Sequence, residues 1–157
     1  MSFLRFLMLL SLIVWLGGMI FFPVIAQTAF SVLPTRHLAG AMVGRSLGIL
    51  HWMGMISALV FLGSSLLLSR LSNGEVHAFA PRNVLICLML LLTLISQFGI
   101  IPRMDAIRAS IGEIDATPVD LPARVRFDAL HHWSTRIESG VLLLGLVVAY
   151  LATRSLT

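Results

Sequence analysis

Apolar residues dominate four segments of the chain, and polar residues are concentrated between them. The segments cover Phe6–Leu33, Ser46–Leu68, Val84–Ile101 and Trp133–Ala152. A helix that crosses the ~30 Å hydrocarbon core of a bilayer needs about 20 residues, with 17 as the lower end of the range. Each segment is long enough, so the pattern predicts an all-α, integral membrane four-helix bundle in which residues 1–157 form a single four-span domain.

Proline, threonine and glycine mark the ends of the first two predicted helices. Pro34 ends the first helix, and Thr35 follows in a position to cap the second. The second helix is predicted to continue to Leu71. The sequence Ser72-Asn73-Gly74 then predicts a turn, and Pro81 suits the first turn of the third helix.

The third helix is predicted to reach Ile101, where Pro102 must break or kink it. The only substantial polar segment follows, between Arg103 and Asp128. Within it apolar residues recur at helical spacing, at Met104, Ile107, Ile111 and Ile114. This pattern predicts a short interfacial helix at the membrane surface between the third and fourth spans.

Composition supports a membrane protein and argues against a soluble one. The chain is 58% hydrophobic, above the roughly 45–50% that is usual in soluble domains. Its mean hydropathy is +0.97 and its pI is near 11.0. All 11 basic residues are arginine, and the net charge is +4. Because these arginines flank apolar spans, we expect the lipid bilayer as their partner and no nucleic acid.

The arginines are unevenly divided between the two ends of the predicted spans. The end with both termini carries Arg5, Arg70, Arg82 and Arg154. The end with loop 1, near Pro34, and loop 3, after Pro102, carries Arg36, Arg45, Arg103, Arg108, Arg124, Arg126 and Arg136. Basic loops remain in the cytoplasm, so we expect loops 1 and 3 inside and both termini outside. The expected location is the plasma membrane of a bacterium.

Four polar residues lie at one depth in the four predicted spans. Counted from the span ends near loops 1 and 3, each is about five or six residues deep, or roughly 8 Å; they are Gln27, His51, Gln97 and Glu138. A charge in hydrocarbon costs about 2.5–3.5 kcal/mol. Glu138 and the nearby Arg136 are therefore expected to point into the bundle.

These residues predict a polar intramembrane pocket near loops 1 and 3. Its further members are expected to be Arg45, Arg103, Ser134 and Arg136. Glu138 is expected to pair with an Arg or His of a neighbouring helix, and Arg45, Arg103 and His51 are nearest in depth. Such contacts also occur as a purely structural lock on helix register, so the pocket alone does not establish a ligand.

Two cofactors are compatible with the histidines. A metal site would use His51 and His131 with Glu138, Met53 or Met55, and imidazole together with thioether ligands would favour copper. Haem b would use His51 and His131 as axial ligands from separate helices. The repeat Gly40-x-x-x-Gly44-x-x-x-Gly48 would make room for a macrocycle, but close helix packing needs the same small residues. No nucleophile–base pair or phosphate loop is recognisable, so an enzyme is not expected.

Several short motifs resemble those of a known family. They are Trp15-x-Gly17-Gly18 with Phe21, Phe22 and Phe30; Ala39-Gly40 leading to His51; Pro102-Arg103-Met104-Asp105; and Phe127-x-x-Leu130-His131-x-x-Ser134. In order and spacing these are similar to the four-helix membrane proteins, largely bacterial, that resemble eukaryotic transmembrane protein 205. The architecture is more distantly similar to the copper-resistance D membrane proteins.

The resemblance implies a four-helix integral membrane protein whose eukaryotic relative is associated with platinum-drug resistance. It makes His51 and His131 the positions most worth testing, whereas Glu138 departs from the neutral residue, such as Asn, expected there. We therefore expect the protein to bind or pass a small cation or metal. The alternatives are a non-catalytic accessory subunit of a larger membrane complex, a homo-oligomer, or a haem b electron-transfer protein.

Overall fold

The structure is a computed structural model that describes residues 1–114 and 116–154, with only the backbone of Asn73. All its regular elements are helical: α1 (Ser2–Val32), α2 (Arg36–Asn73), α3 (Pro81–Leu94), a π-helical turn (Ile95–Ile100), α4 (Ile101–Ile111) and α5 (Pro122–Arg154). Four helices are long and apolar enough to cross a membrane: α1, α2, the continuous run Pro81–Ile111, here called the third span, and α5. The prediction of an all-α protein with four membrane-spanning helices is confirmed.

The helix ends follow the predicted signals. The Thr35 hydroxyl accepts a hydrogen bond from the Leu38 N–H at 3.2 Å and so caps α2. Helix α2 ends at Gly74, whose φ of 73° is the left-handed conformation that glycine adopts without strain. Pro81 occupies the first turn of α3. Helix α2 has 38 residues and is about 57 Å long at 1.5 Å per residue, so it extends beyond the hydrocarbon core of the membrane.

Pro102 does not separate the third span from a surface helix, which corrects the sequence prediction. The π-helical turn ends at Ile100, two residues before Pro102, and the Ile101 N–H donates to the Ser96 carbonyl, five residues back. The wider turn leaves room for a proline ring that would clash with the preceding carbonyl in a regular α-helix. As a result α4 continues the third span, while Ile114 lies beyond it in the connection to α5.

The four spans form a closed ring. Helix α1 packs along α2, α2 also packs against α3, α3 packs against α5, and α5 returns to α1. The core is densest in the half near the termini, where Met8, Trp15, Phe61, Met89 and Val148 are buried together. Large apolar residues on the outside of every span remain exposed, as a lipid-facing surface requires.

Trp15 lies against a glycine of the neighbouring helix. Its side chain is only 2% exposed, and an added Cβ at Gly54 of α2 would lie 2.5 Å from the indole Nε1. Helices α1 and α2 approach closely at this level because Gly54 has no side chain. At Gly63, further along α2, an added Cβ would meet nothing within 4 Å.

We expect Gly54→Ala to destabilise the protein by about 1–3 kcal/mol, because the methyl group would displace a buried indole. The matched substitution Gly63→Ala is expected to be neutral or to stabilise by about 0.5–1 kcal/mol through helix propensity. Thermal unfolding of both variants in the same detergent measures the difference. Equal effects of the two substitutions would contradict the close contact at Gly54.

Candidate functional site

Four side chains from three helices form a hydrogen-bonded chain inside the bundle, here called the polar chain. The His51 ring of α2 binds Gln97 Oε1 through Nδ1 at 2.8 Å and Glu138 Oε1 through Nε2 at 2.6 Å. The Ser96 hydroxyl donates to the same Glu138 oxygen at 3.4 Å. The predicted pairing of Glu138 with a basic residue of another helix is thus present, with His51 as the partner.

The polar chain is shielded from the lipid. His51 is 2% exposed and Ser96 is fully buried, and the Glu138 side chain is 20% exposed. Ser96 and Gln97 are successive residues of the π-helical turn. This turn therefore supplies both contacts from the third span, one to Glu138 and one to His51, and π-helical turns of this kind occur frequently at functional sites.

The hydrogen bonds of His51 depend on its tautomer and on the orientation of the Gln97 amide. Nε2 donates to the Glu138 carboxylate, and Nδ1 faces Gln97 Oε1. With the Gln97 amide turned over, a neutral ring would accept at Nδ1 and still donate to Glu138. In both cases His51 provides the donor that a carboxylate within a membrane span requires.

The glycines of α2 make room for long polar side chains. An added Cβ at Gly48 would lie 4.0 Å from Gln97 Oε1, while one at Gly40 or Gly44 would lie 3.8 or 3.6 Å from the Arg108 guanidinium. The amide and the guanidinium therefore lie beside the glycine face of α2, at distances where a methyl group would make an ordinary contact.

A cavity of about 670 Å³ opens from the polar chain toward loops 1 and 3. It lies between α1, α2, the end of the third span and the first half of α5. Its inner wall is mainly apolar and includes Met19, Phe22, Leu50 and Leu142, with the Glu138 carboxylate among them. We call this the loop-side cavity. Among these apolar lining residues, Glu138 is the charged one. Its partner His51 does not line the cavity.

The rim of the loop-side cavity carries charges that are largely compensated by one another. Arg108 binds Asp105 at 3.2 Å, and its guanidinium lies 5.5 Å above the Phe127 ring. Arg124 binds Asp128 at 3.0 Å and also donates to the Ile114 carbonyl. The Arg124–Ile114 bond connects the segment after α4 to α5, and the Arg108–Phe127 contact connects α4 to α5, at the mouth of the cavity.

The residues predicted for the pocket separate into two groups. Ser134, Glu138 and His131 line the loop-side cavity, and Gln97 belongs to the polar chain next to it, where it binds His51. The other predicted members are exposed and do not line it: Gln27, Arg45, Arg103 and Arg136. Arg136 differs most from the expectation that it points inward. Its guanidinium lies 5.6 Å from the Trp133 ring on the outer face of α5, where a long side chain extends toward the membrane boundary.

The side chains present do not fit the metal or haem sites considered from the sequence. Across residues 1–114 and 116–154, no three His, Cys, Asp or Glu side chains are close enough to hold a metal ion. Both ring nitrogens of His51 are engaged by Gln97 and Glu138. The His131 ring is parallel to that of Phe127, with centroids 6.5 Å apart. Copper or iron would therefore have to displace the hydrogen bonds of the polar chain.

Sequence reasoning missed several residues of the site. Ser96 and the rim arginines Arg36, Arg108 and Arg124 were not predicted to take part. The glycine repeat was the available signal for Arg108, because glycines on one face of a helix leave space for a side chain from a neighbour. Nothing in the sequence marked Ser96, since its position depends on the π-helical turn.

Comparison with known proteins relates the chain to a protein family. The family described as "Domain of unknown function (DUF4149)" matches residues 10–113, from α1 to the end of the third span. No curated protein matches the chain, and no solved structure does either. The matched segment includes His51, Ser96 and Gln97, whereas Glu138 lies beyond it.

We expect Gln97→Leu to destabilise the protein by about 1–3 kcal/mol, because it leaves a buried nitrogen of His51 without a partner. Gln27→Leu is the matched control, since Gln27 is exposed and its loss should change stability by no more than about 0.5 kcal/mol. Thermal unfolding of both variants in one detergent provides the comparison. If the two glutamines proved equally dispensable, the polar chain would have no structural role.

Proposed function

The chain belongs to the DUF4149 family, and on that premise we propose that it is a non-catalytic, multi-pass membrane protein that binds a small organic cation in the loop-side cavity. The observation that carries this proposal is the arrangement of the Glu138 carboxylate. Its Oε1 atom takes the bonds from His51 and Ser96, and Oε2 accepts none from the described residues. Oε2 is therefore available to a ligand from the cavity.

The shape and polarity of the cavity favour an organic cation over a bare metal ion. A metal ion needs several oxygen, nitrogen or sulfur ligands, whereas most of the wall around Glu138 is apolar, with residues such as Met19 and Phe22. The hydroxyl groups of Thr135 and Ser139, which also line the cavity, donate to carbonyls of α5. An organic cation with an apolar body buries that body against the wall and needs one counter-charge. Aromatic groups such as Phe22 add attraction for a cation.

The charges at the mouth also support this choice. Arg108 and Arg124 each bind a carboxylate of their own helix, which reduces their repulsion of an approaching cation. A cavity of about 670 Å³ is within the roughly 300–1,000 Å³ that small-molecule sites occupy. Passage of the ligand across the membrane would require a path through the packed half of the bundle. We therefore propose that the protein binds the cation and does not transport it.

The other interpretations have less support. A role as an accessory subunit would need a docking surface, but exposed apolar residues occur all around the spans and single out no face. We retain the proposal of a bacterial plasma membrane with loops 1 and 3 in the cytoplasm, which rests on the distribution of arginines. A relationship to proteins similar to transmembrane protein 205 likewise rests on the sequence motifs alone.

The test uses two ions of the same shape and opposite charge, tetraphenylphosphonium and tetraphenylborate, with the purified protein in nanodiscs. We expect the phosphonium to bind and the borate to bind at least tenfold more weakly, because only the cation is attracted by Glu138. Glu138→Gln, which preserves size and hydrogen bonding to His51, should weaken phosphonium binding roughly tenfold, or about 1.4 kcal/mol. Isothermal titration calorimetry measures both effects.

Glu75→Gln is the matched control, because Glu75 is an exposed acid in the connection between α2 and α3, at the other end of the bundle. It should bind the phosphonium as the wild type does. Equal affinity of wild type and Glu138→Gln, or equal affinity for both ions, would exclude Glu138 as the counter-charge.

A further inference from the structure

A second cavity, of about 350 Å³, lies at the end of the bundle that carries the termini. It is bordered by the start of α1, the end of α2, the connection between α2 and α3, and the end of α5. We call it the terminal-side cleft. Its polar lining includes Arg5, Arg82, Ser69 and His77, and its apolar lining includes Met8 and Leu68.

The wall of the cleft is preorganised by hydrogen bonds. The Ser69 hydroxyl donates to the Glu75 carbonyl at 3.1 Å and accepts from the His77 N–H at 3.0 Å. The Asn83 amide donates to the His77 carbonyl at 3.2 Å. The connection between α2 and α3 is therefore attached to both helices, so the cleft does not depend on a ligand for its shape.

Two arginines give the cleft a positive charge. Arg82 uses its Nε to donate to Ser65 at 3.2 Å, which aligns the guanidinium. Among the described residues, neither its terminal NH₂ groups nor the Arg5 guanidinium has a hydrogen-bond or ion-pair partner. The described lining contains no Asp or Glu. Guanidinium groups bind phosphate oxygens through paired N–H donors.

The position and the apolar part of the cleft indicate the source of the phosphate. Arg5 and Arg82 lie at the ends of α1 and α3, at the level where a span leaves the hydrocarbon and meets lipid headgroups. Buried Met8 and Leu68 continue the cleft toward the bundle core. A free phosphate ion does not bury this apolar surface, whereas the acyl chains of a lipid pack against it.

We propose that the terminal-side cleft is a binding site for an anionic phospholipid, with the phosphate between Arg5 and Arg82 and the acyl chains directed along Met8 and Leu68. The site is independent of the cation proposed for the loop-side cavity. It would hold the starts of α1 and α3 and the end of α2 together at the membrane surface.

Native mass spectrometry of the purified full-length chain tests the proposal with phosphatidylglycerol and phosphatidylcholine of identical acyl chains. We expect tighter binding of phosphatidylglycerol. The double variant R5Q/R82Q should lower that affinity about 25-fold, at about fivefold for each arginine near a membrane surface. The single variant Arg5→Gln, which leaves the Arg82–Ser65 contact in place, should lower it about fivefold.

Two controls separate the site from general charge. Arg70→Gln removes an exposed arginine of the same end of α2 that does not line the cleft, and it should leave the lipid preference intact. R5K/R82K keeps both charges and should retain most of the preference. An unchanged preference in R5Q/R82Q, or an equal loss in Arg70→Gln, would overturn the proposal.

Inorganic phosphate distinguishes the two sources of the same chemical group. We expect millimolar phosphate not to displace bound phosphatidylglycerol, because the ion lacks the acyl chains. Displacement by inorganic phosphate at concentrations comparable to those of the lipid would show a free-phosphate site and would overturn the assignment to a lipid.

Discussion

A carboxylate within a membrane span must have a hydrogen-bond donor, and in this protein His51 is that donor for Glu138. The 2.6 Å contact joins α2 to α5, and the second ring nitrogen joins α2 to the third span through Gln97. Helix α1 contributes no member of this chain. It forms an apolar wall instead, with Met19, Phe22 and neighbouring residues along the loop-side cavity. The inner part of the cavity is thus mainly apolar with one carboxylate, whereas its rim is charged.

The two halves of the bundle use glycine in different ways. In the packed half, Gly54 receives Trp15, and Gly145 receives side chains of Leu16 and Met89. There the absence of a Cβ brings helices together around an apolar core. Near loops 1 and 3, glycines of α2 face Arg108 and Gln97 instead. There the glycine face of α2 lies beside polar side chains of the third span, at the level of the loop-side cavity.

The sequence predicted the membrane-spanning helices and the depth of their polar residues. It did not predict which side of each helix faces the interior of the bundle. Hydrophobic length predicted the four spans, and Thr35, Gly74 and Pro81 marked helix ends correctly. Counting along the chain also placed His51, Gln97 and Glu138 at one depth. Gln27 has the same depth by that count, yet α1 presents it outward. Which face of a helix is buried depends on packing against its neighbours, and in apolar spans the periodicity that would reveal it is weak.

The π-helical turn shows a second limit of sequence reasoning. Pro102 indicated an interruption, but the interruption lies in the turn before it and leaves the helix continuous. That turn sets which residues of the third span contact His51 and Glu138. The pattern of apolar residues does not reveal this turn. It therefore predicts neither the contact between Ser96 and Glu138 nor the continuation of the third span into α4.

A double-mutant cycle on His51 and Glu138 tests the central claim most directly. The free energy of unfolding is measured for His51→Leu, Glu138→Leu and the double variant, in the same detergent. Each single variant removes one side of the His51–Glu138 bond and leaves the other polar group without it, whereas the double variant removes both groups. The interaction predicts that the double variant loses less stability than the sum of the single losses, by at least about 1 kcal/mol. Losses that add to within about 0.5 kcal/mol would contradict a direct His51–Glu138 bond.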